Sequence, residues 1–139
     1  RRYDYVDSGR YSAMSTNTGG LSVDTEPLGG LAYVGIIAAV ISAVIHLRLG
    51  VGFIQSPLGI SFILAGLGFL GAVGLVLVNY RRRTVYAVGI PFTAVQIGIW
   101  YYVNFAAGGK AFPADIGTIG AIDKVAQLVL IVVLIALLR

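Results

Sequence analysis

The chain has 139 residues, 58% of them hydrophobic and only 12% charged, with a mean hydropathy of +0.89; a soluble domain carries about 25% charged residues. The absence of cysteine excludes structural disulfides, thiolate metal sites and thiol nucleophiles, and the single histidine, His46, excludes a bis-histidine haem or a multi-histidine metal cage within one copy. The net charge of +4 comes from dispersed basic residues with no soluble module to present them, which argues against nucleic acid as a partner.

Residues 1–27 mix Tyr, Ser, Thr, Gly and Asp without helical or strand periodicity, so a disordered polar tail is expected, with Tyr3, Tyr5 and Tyr11 able to rest at lipid headgroups. The only methionine, Met14, is read as the natural start. No apolar segment with a small-residue cleavage site precedes the first long apolar run.

Residues 28–139 form the second region. Its four apolar runs, at about 28–47, 57–80, 85–106 and 119–138, are each long enough to cross a hydrocarbon core about 30 Å thick as a helix. Pro27 precedes the first run, where proline tolerates a helix start. That run ends in His46-Leu47-Arg48-Leu49-Gly50-Val51-Gly52, where charge and glycine weaken helix continuation. Gln55-Ser56-Pro57 marks the turn into the second run. The Arg81-Arg82-Arg83 triplet leaves only a few residues before the third, so runs two and three are expected to be antiparallel neighbours. Pro91 should kink the third helix by removing one backbone hydrogen bond. A longer loop, 107–118, leads into the fourth.

Basic residues flanking membrane spans are retained on the cytoplasmic side. Placing Arg81, Arg82 and Arg83 inside puts both termini inside, with seven basic residues there against Arg48, Lys110 and Lys124 outside. The expected fold is therefore an all-α, integral-membrane, antiparallel four-helix bundle, N-in and C-in, in the cell membrane. The triplet sets topology and could also hold anionic lipid headgroups.

Small residues let helices approach closely in lipid. Gly35, Ala39 and Ala43 on the first run and Ser61, Ala65, Gly68 and Ala72 on the second are expected to face each other. Polar residues gather near the outer ends of the spans: His46 on the first, Gln96 on the third, Asp123 and Gln127 on the fourth, beside an interfacial belt of Trp100, Tyr101 and Tyr102. His46 beside Asp123 would be an imidazole–carboxylate pair able to pass a proton, while the plainer reading has His46 satisfy a neighbour or reach headgroups. Gln96 and Gln127 are read as polar adhesion between the third and fourth helices. Asp123-Lys124 is read as the water boundary of the fourth, with Lys124 extending outward.

No acidic residue lies mid-span as in proton-coupled pumps, nucleotide-loop and HExxH patterns are absent, and the span pairs 1-2 and 3-4 share no pattern of inverted repeats. No catalytic residue, cofactor or metal is called. The stretches His46–Gly50, Gly59–Phe69, Tyr80–Arg83 and Val88–Thr93 leading to Trp100-Tyr101 resemble a family of small uncharacterised four-span membrane proteins of halophilic archaea, over about residues 28–139. That resemblance implies the fold and carries no activity. The expected role is a non-enzymatic accessory or structural subunit of a membrane assembly, with lipids and other subunits or a second copy as partners. The alternative is a small transporter or channel using the outer polar cluster, and a weaker third is an enzyme acting on lipid or quinone.

Overall fold

A computed structural model describes residues 28–139; the expectations for the tail, including Tyr3, Tyr5, Tyr11 and Met14, lie outside these residues. The described residues contain four α-helices and no strand: α1 (Gly30–Gly52), α2 (Pro57–Leu77), α3 (Arg82–Tyr101) and α4 (Thr118–Leu138). A π-helical turn over Tyr102–Ala106 prolongs α3, and the Ala107 N–H reaches the Tyr102 carbonyl five residues back at 2.8 Å. All four helices are long and apolar enough to span a membrane.

The helix starts follow local chemistry. Ser56 caps α2: its Oγ accepts the Gly59 N–H at 3.2 Å, and Pro57 occupies the first turn, where its missing N–H costs nothing. Between α2 and α3 the chain reverses through Asn79 (φ 56°) and Arg81 (φ 46°), both in left-handed backbone. The arginine triplet then covers carbonyls that the helix ends leave open. Arg82 Nε donates to the Val76 carbonyl at 2.8 Å and Arg83 Nη2 to the Leu138 carbonyl at 2.9 Å, so cations sit at the negative ends of α2 and α4.

The helix α1 continues past His46 to Gly52, where glycine and charge were expected to weaken it. Packing explains the continuation at Gly50. A Cβ there would lie 2.6 Å from Ile63 Cγ1 and 2.9 Å from the Gly59 carbonyl oxygen, so the bare backbone is what lets α1 and α2 meet at this point. Gly59 is tighter still, facing the Phe53 carbonyl.

Around the bundle, α1 lies between α2 and α4, and α4 between α1 and α3; α2 and α3, although consecutive, make the sparsest contact of any touching pair. The core follows helical spacing. On α1 it runs through Ala32, Gly35, Ala39, Ala43, His46 and Gly50, and on α4 through Asp123, Gln127, Leu130 and Leu134. At the arginine end, Ala32 of α1, Val76 of α2, Val85 of α3 and Leu137 of α4 pack together. Of the small residues, Gly35 turns to Val133 and Leu130 of α4, while Ala39 and Ala43 sit in the core with Phe69 and Ala126. On α2 the close contact with Leu47 and the Ala43 carbonyl falls at Gly66; Gly68 faces Phe92 of α3, Ser61 is exposed, Ala65 is partly buried and Ala72 lines an interior cavity.

Candidate functional site: a buried polar cluster

Three helices bring six polar side chains together at the end of the bundle away from the arginine turn. Ser42 and His46 come from α1, Gln96 from α3, and Asp123, Lys124 and Gln127 from α4. Spacing selects them: Ser42 and His46 are four residues apart, as are Asp123 and Gln127, so each pair shares one helix face. All but Gln96 are buried, and Ser42 and Gln127 are fully so.

Asp123 is the hub. Its Oδ1 accepts the Ser42 hydroxyl at 2.6 Å and its Oδ2 accepts the Lys124 ammonium at 2.8 Å. Lys124 also donates to Gln127 Oε1 and rests 5.4 Å from the centre of the Trp100 ring, a cation–π contact. Gln127 Nε2 donates to Gln96 Oε1 at 3.1 Å and to Ser42 Oγ at 3.3 Å, and Gln96 Nε2 closes the chain on the Phe92 carbonyl at 3.1 Å. One carboxylate and one ammonium thus meet in a network that spends its donors and acceptors on itself. Such closure is the condition under which buried polar groups hold a bundle together.

His46 adjoins the hub. Its Nδ1 lies 2.8 Å from the Ser42 carbonyl, which can only accept, so the proton sits on Nδ1; the same nitrogen is 3.6 Å from Asp123 Oδ1. Nε2 has no hydrogen-bond partner among the described residues, and the ring packs against Phe62 and Phe69 at 5.7 and 5.9 Å between centroids. No ligand set for a metal occurs among the described residues.

His46, Gln96, Asp123 and Gln127, singled out in the sequence, therefore stand together. Lys124 corrects the expectation of an outward-reaching side chain: it folds inward because Asp123 Oδ2, Gln127 Oε1 and the Trp100 face offer it three partners. Ser42 was missed, although its position four residues before His46 was the available signal. Trp100 covers Lys124, whereas Tyr101 joins Phe105 and Phe112 in an exposed aromatic cluster over the loop, and Tyr102 is exposed. That loop is tied by Asn104 Nδ2 to the Trp100 carbonyl (2.9 Å) and Lys110 Nζ to Asn104 Oδ1 (3.1 Å).

Four helices are thus long and apolar enough to cross a membrane, and three of them, α1, α3 and α4, are joined inside by one polar network. Residues 17–138 match the model of a family of unknown function (DUF7475), and the chain belongs to that family. No curated protein and no solved structure matches the chain.

Proposed function

We propose that this protein is a non-enzymatic structural or accessory subunit of a membrane assembly, an antiparallel four-helix bundle in the cell membrane with both termini cytoplasmic. One observation carries the reading: the polar groups inside the bundle are turned on one another, Asp123 to Ser42 and Lys124, Gln127 to Gln96, rather than toward a polar path. The cavities described in this bundle are lined by apolar side chains such as Val73, Leu130 and Val125. A network of this kind supports adhesion of α1, α3 and α4, in a solvent that gives helices no hydrophobic reason to associate.

The outer surface fits the same role. The helix α3 exposes Val88, Val95 and Ile99 and buries only Thr93 fully, leaving most of its length for lipid or a neighbouring subunit. The arginine triplet favours a cytoplasmic turn, where Arg81 remains near anionic headgroups. Extraction in mild detergent, followed by size measurement and mass spectrometry of what co-purifies, tests the proposal. A stoichiometric partner supports it, and a lone homo-oligomer with ion flux in vesicles overturns it.

A second reading, a small transporter or channel, is favoured by one feature, His46, whose Nδ1 lies 3.6 Å from Asp123 Oδ1 and whose Nε2 has no hydrogen-bond partner among the described residues. Its test is flux through the reconstituted protein that is lost on His46→Ala.

A further inference from the structure

We propose that His46 and Lys124 exchange as the cation held by Asp123, with a proton as the trigger: a proton taken at His46 Nε2 turns the carboxylate to the imidazolium and releases Lys124 toward the start of α4. The device needs only the polar cluster itself and holds under either functional reading.

Asp123 already faces both partners. Its Oδ2 accepts the Lys124 ammonium at 2.8 Å, and its Oδ1 lies 3.6 Å from His46 Nδ1. With the imidazole neutral, one carboxylate and one ammonium cancel in a space where Asp123 is 4% and Lys124 9% exposed. A proton on His46 sets two cations against that one carboxylate, and an uncompensated charge inside a protein is costly. Expelling one cation restores neutrality. No neighbouring group absorbs the excess. Near His46, α1 adds only Arg48, which is exposed and itself positive; α2 carries no titratable residue and meets the ring with Phe62 and Phe69; α3 faces the cluster with Gln96 and Trp100; and α4 supplies Asp123 and Lys124 alone. In the loop, Lys110 and Asp115 are exposed and engaged by Asn104 and the Ala111 N–H.

Geometry decides which cation leaves. His46 is pinned, its Nδ1 donating to the Ser42 carbonyl at 2.8 Å and its ring set against Phe62 and Phe69. Lys124 stands on a flexible four-carbon stem about 9 Å along α4 from Thr118, and such a stem can carry its ammonium to a helix end. Once Asp123 turns to the imidazolium, the partners left to Lys124 in the cluster are the neutral Gln127 Oε1 and the Trp100 face. The proton has a way in. Among the described residues Thr93 Oγ1 is the one unpartnered polar side-chain atom shut off from the surface, so Nε2 of His46, also unpartnered, keeps contact with it.

The composition isolates the test: the chain has a single histidine, a single tryptophan, and only Lys110 and Lys124 as lysines. The full chain in lipid nanodiscs is titrated from about pH 8 to about pH 5, the range in which histidine commonly changes charge. His46 ring protons are followed by NMR, Trp100 by its emission, and Lys124 by brief labelling with an amine-reactive ester, mapped by mass spectrometry. Labelling is read as the ratio to the exposed Lys110, which cancels the pH dependence of the reagent. Lys124 starts 9% exposed, so the ratio should rise severalfold on acidification, and Trp100 emission should change along the same curve as the His46 resonances. His46→Gln should hold both readouts flat, and Lys124→Met should remove the Trp100 change while His46 still titrates. A His46 that stays neutral across the range, one that titrates while the labelling ratio and Trp100 emission stand still, or a change that persists in His46→Gln overturns the proposal.

Discussion

Removing the charge of Asp123 while keeping its shape is the sharpest probe of the polar cluster. In Asp123→Asn the side-chain oxygen can still accept from Lys124, and the new amide can point at Ser42 Oγ, so hydrogen bonding survives in number. What is lost is the counter-charge to an ammonium that is 9% exposed and 2.8 Å from the carboxylate. Breaking a buried ion pair from one side costs about 3–5 kcal/mol. Lys124 keeps Gln127 and the Trp100 face, which places the expected loss near the lower end, about 3 kcal/mol. Removing both charges in Asp123→Asn/Lys124→Met leaves no orphan ion and should recover to within about 1 kcal/mol of the parent. The two single changes, each breaking the pair from one side at about 3 kcal/mol, are therefore strongly non-additive, with a coupling of about 5 kcal/mol. Reversible unfolding of the detergent-solubilised protein by increasing dodecyl sulfate, followed by Trp100 fluorescence, reads all four corners of the cycle. A single variant costing under about 1 kcal/mol, or a double variant no better than the sum of the singles, would refute the ion pair as the structural hub.

Three further outcomes follow from local geometry. Gly59→Ala drives a Cβ into the backbone carbonyl of Phe53, so the α1–α2 junction must shift and thermal stability should fall, whereas Gly71→Ala, with open space around its Cβ, should be neutral or slightly stabilising in the same assay. Trp100→Leu keeps apolar bulk but removes the π face over Lys124, and should lower stability by about 0.5–2 kcal/mol in parent protein and by much less in the Lys124→Met background. Arg83→Gln removes a cation from the last carbonyls of α4 and should cost about 0.3–1 kcal/mol, shrinking as salt rises; a loss that is insensitive to salt would assign the effect to something other than the helix end.

The four helices were legible because each needs only a long apolar run, and hydropathy reports that directly. The cluster was legible where polarity is large and out of place: His46, Gln96, Asp123 and Gln127 interrupt apolar sequence. Ser42 and Thr93 were not, since small hydroxyl residues are ordinary in apolar helices and only tertiary placement separates a bridging hydroxyl from an unspent one. Lys124 was misread because one residue next to a helix start can point either way; Asp123 Oδ2 and Gln127 Oε1 decide it, and their positions are set by α4 packing on α1. Helix adjacency was also hidden. A short turn between α2 and α3 implies neighbours, yet their contact is sparse, because the bulk of Phe92 meets α2 at Gly68 while α3 is drawn to α4 by Gln96 and Gln127.

These contacts distribute strength unevenly around the bundle, and that unevenness links the cluster to the cavity. The α1–α2 side closes backbone to backbone at Gly50, Gly59 and Gly66, where van der Waals contact is densest. The α1–α4 and α4–α3 sides are bridged by Ser42–Asp123 and Gln127–Gln96, whose rupture would leave polar groups unpaired inside the bundle. Between α2 and α3, Arg82 donates to the Val76 carbonyl at the very start of α3, and further along the seam side chains such as Phe69 and Phe92 pack together. Separation of these rings sacrifices dispersion and breaks no bond of the polar cluster, so this is the side of lowest opening cost. The polar cluster thus does more than add cohesion: it locks the α1–α4 and α4–α3 sides while the glycine contacts close the α1–α2 side, which confines opening to the α2–α3 side, beside the interior cavity.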